Sequence, residues 1–241
     1  MEPVKNQNDE VVQKMFAVGA HFAFSRSRRH PSLVPFIFGV KNRVEIFDLE
    51  KTKGALEMAE NFVRTLAREG KQILFVGGKS ESRDAVKNAA LSLEMPYVAG
   101  RWIGGSLSNF KEIRSRVDKF LDLTAKREKG ELSKYTKKER LLIDREIEKL
   151  DRFFSGLIPM KEMPKALFVI DSKHEHIAVA EAKNVGVPVI ALTGSDCNLK
   201  EVDYAIPGND ASIASIKFFV ERITWAYKEG RNERLKVQAA Q

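Results

Sequence analysis

Arg101 and Trp102 stand side by side in MPYVAGRWIGGSLSNF, residues 95–110, with Gly100, Gly104 and Gly105 around them. A guanidinium grips phosphate through paired N–H donors, an indole stacks on a base, and glycine lets backbone approach a partner unobstructed. The stretch pairs no nucleophile with a base, so it points to binding and not to covalent chemistry. On the residues alone a second reading stays open, a buried tryptophan on a loop that turns the chain.

A second constellation lies upstream. From Val11 to Val44 the chain carries Lys14, Arg26, Arg28, Arg29, Lys41 and Arg43 with no acidic residue, and Phe16, Phe22 and Phe24 are interleaved with them. Such an arm suits phosphate contacts with stacking on unpaired bases, and arginine at its centre favours a bidentate grip. The plainer alternative is a solvated basic loop, with several of the phenylalanines serving the core.

Other candidates are weaker. ILFVGGKSESRDAV places two glycines and Lys79 between a strand and a helix, but neither GxxxxGK[ST] nor GxGxxG spacing is present, and Glu81 and Asp84 would repel a nucleotide. A structural turn with Lys79 open to an outside phosphate is expected there. In DSKHEHIAVAEA, His174 and His176 are two residues apart, unlike the i, i+4 pair of HExxH, while Ser172 and Glu175 have the spacing of a capping box, so no metal site is expected. Asp196, Asp203 and Asp210 follow the last strands, where an enzyme acting on a phosphorylated metabolite would hold its ligand. No His, Lys or nucleophile is spaced to complete a catalytic set, and Asn209 or Asp210 before SIASI reads as a helix N-cap.

The elements that must position these residues follow from periodicity. FIF at 36–38, VEIF at 44–47, ILFV at 73–76, PYV at 96–98, ALFVI at 166–170 and VPVIAL at 187–192 read as strands, the longest buried on both faces. Leu56, Ala59, Val63 and Leu66 recur at helical spacing, as do Ile213, Ile216, Val220 and Ile223. The alternation predicts an α/β fold with a mostly parallel sheet, preceded by a hairpin at FIFGVKNRVEIF. Between Leu107 and Leu157 strands vanish, and Phe110, Ile113, Val117, Phe120 and Thr124, then Ile143, Ile147, Leu150, Phe154 and Leu157, predict an inserted antiparallel helical hairpin, a coiled coil packing on itself. Its root near Lys111 and Arg114 adjoins the glycine joint and is left for a partner. The expected organisation is an α/β domain of residues 1–106 and 158–230, a hairpin of 107–157, and a frayed tail after Tyr227, flexible over 231–241.

Composition agrees with a polyanionic partner. Forty-one Lys and Arg against thirty-three Asp and Glu give a formal net charge of +8. A lone Cys197 forms no intramolecular disulfide and fits a reducing compartment, with cytoplasm as the default. The N-terminus lacks the apolar stretch of a signal peptide and no run is long enough to span a bilayer. A membrane partner is not expected.

GAHF at 19–22, RVEIFDLEKT, ILFVGGK, RWIGGSLSNF, the IDSKHEHIAVAEA run and DYAIPGND, collinear over about residues 10–228, resemble the bacterial ribosomal protein S2 family. The resemblance implies a flavodoxin-like α/β domain with a protruding helical hairpin, in a protein that binds small-subunit ribosomal RNA, helps dock a neighbouring ribosomal protein, and has no enzymatic activity, cofactor or small-molecule substrate. Gly19, His21, Phe22, Arg28 and Pro31 match the family's N-terminal motif, and Arg101, Trp102, Gly104, Gly105, Asn109 and Phe110 its central one. The chain departs from the family at Ala23, Phe24, Arg29, His30, Gly78 and Gly194. The expected RNA contacts are thus His21, Arg26, Arg28, Arg29, Lys79, Arg101, Trp102, Asn109, Lys111 and Arg114. A scaffold that binds protein and no RNA is the remaining alternative.

Overall fold

The computed structural model describes residues 7–239. The extreme N-terminus, and Ala240 and Gln241 of the expected tail, lie outside the described residues. Helix α1 (Gln7–Ala17) leads into β1 (Phe22–Ser25), β2 (Ile37–Lys41) and β3 (Val44–Phe47), an antiparallel sheet in the order β1-β3-β2. The hairpin joining β2 to β3 turns through Asn42 and Arg43 at φ 52° and 66°. Two successive left-handed residues let the turn follow the strand twist, and for arginine that conformation is strained by about 1–2 kcal/mol.

Helix α2 (Leu49–Arg68) starts where the Asp48 carboxylate accepts from the amides of Glu50 and Lys51. There follow β4 (Ile73–Val76), α3 (Ser80–Leu93), β5 (Tyr97–Val98), α4 (Phe110–Glu128), α5 (Lys137–Phe154), β6 (Ala166–Ile170), α6 (His176–Val185), β7 (Val189–Thr193), β8 (Tyr204–Pro207) and α7 (Ile213–Ala239). The five later strands form a parallel sheet in the order β5-β4-β6-β7-β8. Counted from β4, that is the 2-1-3-4-5 order of flavodoxin-like folds.

The two-residue period of the strands sets the layers. Ile73, Phe75, Phe168, Ile170, Ile190 and Leu192 join one buried cluster with the apolar stripes of α2, α3 and α7. Leu74, Val76, Leu167, Val169, Val189 and Ala191 join another with α6 and with Ile113, Val117, Phe120, Ile147, Leu150 and Phe154 of α4 and α5. The helical pair therefore does not pack only on itself, as expected, but shares a continuous core with the sheet.

Three further departures have physical causes. The segment read as a basic arm is instead ordered: Phe24 N–H donates to Ser195 Oγ at 2.9 Å and His30 N–H to the Ser195 carbonyl at 2.8 Å, so β1 is tied to the loop after β7. The short strand β8 is held by pairing with β7 and not by apolar length. The tail after Tyr227 is helical to Ala239, because Glu229 meets Arg64 and Glu233 meets Arg68 at 2.5 Å on α2, while a Cβ at Gly230 would lie 2.5 Å from the Arg64 carbonyl. Among the described residues no helix is long and apolar enough to cross a membrane.

Candidate nucleic-acid interface

The order β5-β4-β6 creates a switch point beyond the carboxyl ends of β4 and β6, where doubly wound sheets hold anionic ligands on loop amides. Here the chain fills that place itself. Lys79 Nζ lies 2.5 Å from Asp171 Oδ2 and 3.1 Å from Asp210 Oδ2, both carboxylates being buried. The Gly78 amide donates to Glu175 Oε1 at 2.9 Å. Burial pushes the Asp210 carboxyl up to about 6 against the pull of Lys79. At Asp171 burial pushes the carboxyl up, but Lys79, the His174 amide and the Cys197 thiol together outweigh it and keep the carboxyl below its usual range. Burial and the Asp171 charge push the Cys197 thiol up to about 12, and it points at Asp171 Oδ1 at 3.4 Å as a neutral donor. Asp171, Cys197 and Asp210 bring ligand atoms within 4.8 Å of one another, and the cation at the two carboxylates is the Lys79 ammonium.

Lys79 is thus turned inward, and the outside phosphate contact expected of it is not open to it. The other rim carboxylates are also engaged, Asp196 by Arg28 at 3.1 Å and Lys173 at 2.9 Å, Asp203 by the Val189 amide at 2.8 Å. The departures at Gly78 and Gly194 belong to this arrangement. A Cβ at Gly78 would fall 2.3 Å from Glu175 Oε1, and one at Gly194 would fall 2.5 Å from Asp210 Oδ1. The Ser172–Glu175 capping box is not formed, since the Glu175 carboxylate serves Gly78, and Asp171 Oδ1 accepts from the Lys173 and His174 amides instead.

The glycine joint is organised by a residue that sequence reasoning missed. Glu181 Oε1 on α6 accepts from Trp102 Nε1 at 3.2 Å and the Gly105 amide at 2.6 Å, and Oε2 accepts from the Leu107 and Ser108 amides at 3.1 and 3.3 Å. These donors outweigh partial burial and hold the Glu181 carboxyl below its ordinary range. Gly105 sits at φ 92°, a left-handed position that an L side chain rarely adopts. Trp102 is 6% exposed and belongs to the core, so it braces the joint and offers no face to a base. Arg101 beside it is exposed and makes no ion pair among the described residues. It shares a hollow of about 410 Å³ with Arg83 and His174.

Asn109 caps the start of α4 with its side chain exposed and not bonded to the helix. Lys111 is exposed, while Arg114 binds Asp118 at 2.9 Å and the Ile158 carbonyl at 3.3 Å. Upstream, Arg26 is exposed and unpaired among the described residues, and Arg28 lies 4.0 Å over the Phe24 ring while it meets Asp196. Arg29 is committed inward to the fully buried Glu45 at 2.8 Å. His30 closes a short 3-10 turn by accepting from the Ser32 amide, so the departures at Phe24, Arg29 and His30 have structural employment. His21 is 9% exposed and stacks on Phe16 with ring centroids 4.5 Å apart. Arg28 and Lys173 share one carboxylate, and the loop after Lys173 carries His174 to the hollow of Arg83 and Arg101. The outer side of the strand-end rim therefore carries Arg28, Lys173, Arg83 and Arg101.

The chain matches the family model described as ribosomal protein S2 over residues 15–230. It is 41% identical over 223 residues to the small ribosomal subunit protein uS2 of Coprothermobacter proteolyticus, covering 92% of this chain and 83% of that protein. To the uS2 proteins of Psychromonas ingrahamii and Pseudoalteromonas translucida it is 40% and 39% identical, in each case over 95% of this chain and 94% of the relative.

Proposed function

Because the chain belongs to the ribosomal protein S2 family, we propose that it acts as a structural constituent of the bacterial small ribosomal subunit by binding the subunit's RNA along the basic strand-end rim and the glycine joint. One observation carries this reading. The charged groups inside the strand-end crevice are engaged with one another, whereas Arg26, Arg101 and Lys111 are exposed without an ion pair among the described residues. Arg28, Arg83 and Lys173 extend the same rim. Cationic groups on backbone that is already ordered fit phosphates at little ordering cost on binding.

Joint and rim have separate tasks in this reading. Trp102 and Glu181 fix where α4 leaves the sheet, and Arg101, placed next to that brace, receives the phosphate. The exposed faces of α4 and α5 carry both signs of charge and suit a neighbouring ribosomal protein. Such a protein works in the cytoplasm as part of the particle and catalyses nothing. The switch-point amide that would seat a metabolite phosphate is occupied by Glu175, which disfavours an enzyme.

Filter binding to small-subunit RNA fragments at several salt concentrations tests the rim. Replacing Arg26, Arg101 and Lys111 together by alanine is expected to shrink the slope of log K against log salt by about one per phosphate lost. A slope equal to that of the parent chain would remove the rim from the interface.

A further inference from the structure

A cleft of about 680 Å³ opens between the end of α1 and the antiparallel sheet, lined by Phe16, His21, Phe22, Phe38, Lys41 and Ile46 among others. Phe38 is 81% exposed, Phe16 63% and Phe22 49%. The rings form a ladder: His21 lies flat on Phe16, and its centroid is 4.1 Å from that of Phe22. His21 is itself buried, yet its Nδ1 has no hydrogen-bond partner. Burial first, and then the Lys41 charge, lower its pKa, which keeps the ring an uncharged member of the ladder at neutral pH.

Charge decides what such a cleft accepts. Lys41 and Arg43 on the β2–β3 hairpin are exposed and make no ion pair among the described residues. The acidic residue of this sheet, Glu45, is buried and held by Arg29. An apolar peptide would leave the two cations without counter-charge, and an acidic peptide would leave the ring ladder unused. A duplex hides its base faces. A single strand of RNA uses both features, bases on the rings and phosphates on the cations.

We infer that this cleft stacks one or two unpaired RNA bases against Phe22 and Phe38, with Lys41 and Arg43 on the flanking phosphates and His21 as the buried backing of the ring ladder. The inference rests on the RNA-binding reading above and adds a second contact, apart from the strand-end rim, that takes unpaired nucleotides.

The test uses the full chain and RNA hexamers carrying 2-aminopurine, single-stranded or annealed to their complement. Quenching on binding is expected for single strands only. F38A should weaken that binding about tenfold, the scale of one base–aromatic stack, with the salt slope unchanged, and F38W should retain it. K41A with R43A should instead reduce the slope by about two. Phe38 is a surface side chain, and an unchanged circular dichroism melt of F38A would confirm that the variant folds. Absence of quenching, equal affinity for duplex, or loss of a neighbouring ribosomal protein from F38A particles with RNA binding untouched would each overturn the stacking site. If hexamers fail while small-subunit RNA still binds with steep salt dependence, only this inference falls. If the parent chain binds neither, the RNA-binding reading falls with it.

Discussion

Two edges of the molecule use the same residue types to opposite ends. Beyond β4 and β6, Lys79, Asp171, Asp210, Glu175 and the Gly78 amide satisfy one another in a closed group. On the antiparallel sheet and the glycine joint, Lys41, Arg43 and Arg101 stand without ion pairs among the described residues, and Phe38 is open to solvent. In flavodoxin-like folds the first edge is the usual ligand seat and the second would be scaffolding. In this chain carboxylates of its own occupy the seat, and cations without ion pairs among the described residues stand on the periphery. A fold thus predicts where ligands usually sit, and the charge accounting at each atom decides whether the seat is vacant.

The sharpest way to break this contrast is at Lys79. K79M leaves two buried carboxylates facing each other and is expected to cost about 3–5 kcal/mol in denaturant unfolding at neutral pH. The deficit should narrow on acidification. Without Lys79 both buried carboxyls titrate above their unfolded values, so the variant gains stability as both protonate, whereas the parent gains only through Asp210, raised to about 6, and loses the Asp171 contribution as pH falls through that residue's lowered folded value. A loss under 1 kcal/mol would mean that the closed group is not a stabilising device.

Next in size is Glu181. E181Q replaces an acceptor of three amides and an indole N–H by a group with one acceptor oxygen, and about 1–3 kcal/mol should be lost. Because the folded carboxyl lies below the ordinary glutamate value, its contribution is complete above that ordinary value and disappears as pH falls through the folded one. Stabilities of E181Q and the parent, measured from pH 7 down to pH 3, should therefore converge at the acid end. A constant gap would assign the effect to shape and not to charge.

The smallest expected change has the opposite sign. R43G relieves a left-handed arginine and should raise the melting temperature, by up to about 2 °C for a net gain near 1 kcal/mol or less after the extra freedom of glycine in the unfolded chain is deducted. The same variant should lower the salt slope of RNA binding by about one. A stability gain with unchanged binding would show that the strained turn does not serve the open edge.

Much of the framework was legible because it is written in period. ALFVI and VPVIAL had to be strands buried on both faces, and each of their residues that falls in β6 or β7 is buried. The stripes of α2, α4 and α5 were equally plain. What could not be read depends on partners distant in the chain. Glu175 reads as half of a capping box and Glu181 as an ordinary helix-surface glutamate, but they meet amides 97 and 76 residues away. The local capping-box signal at Ser172 lost to one of those amides. The end of α7 has weak apolar periodicity because ion pairs to α2, 165 residues away, hold it. Whether an arginine turns inward, as Arg29 does, or outward, as Arg26 does, depends on a buried carboxylate that sequence spacing does not reveal.

The packing of α2 against α7 also sets a timetable. Residues 68 and 239 end the two helices, and at about 5–20 residues per second a ribosome needs roughly ten to thirty seconds to pass from one to the other. Through that interval Leu56, Val63 and the Glu60 carboxylate wait for Val220, Ile223 and the Arg222 guanidinium that will cover them. The layer closes only when the last helix emerges, so a nascent chain stalled before residue 213 carries an open apolar stripe, the kind of surface that chaperones hold.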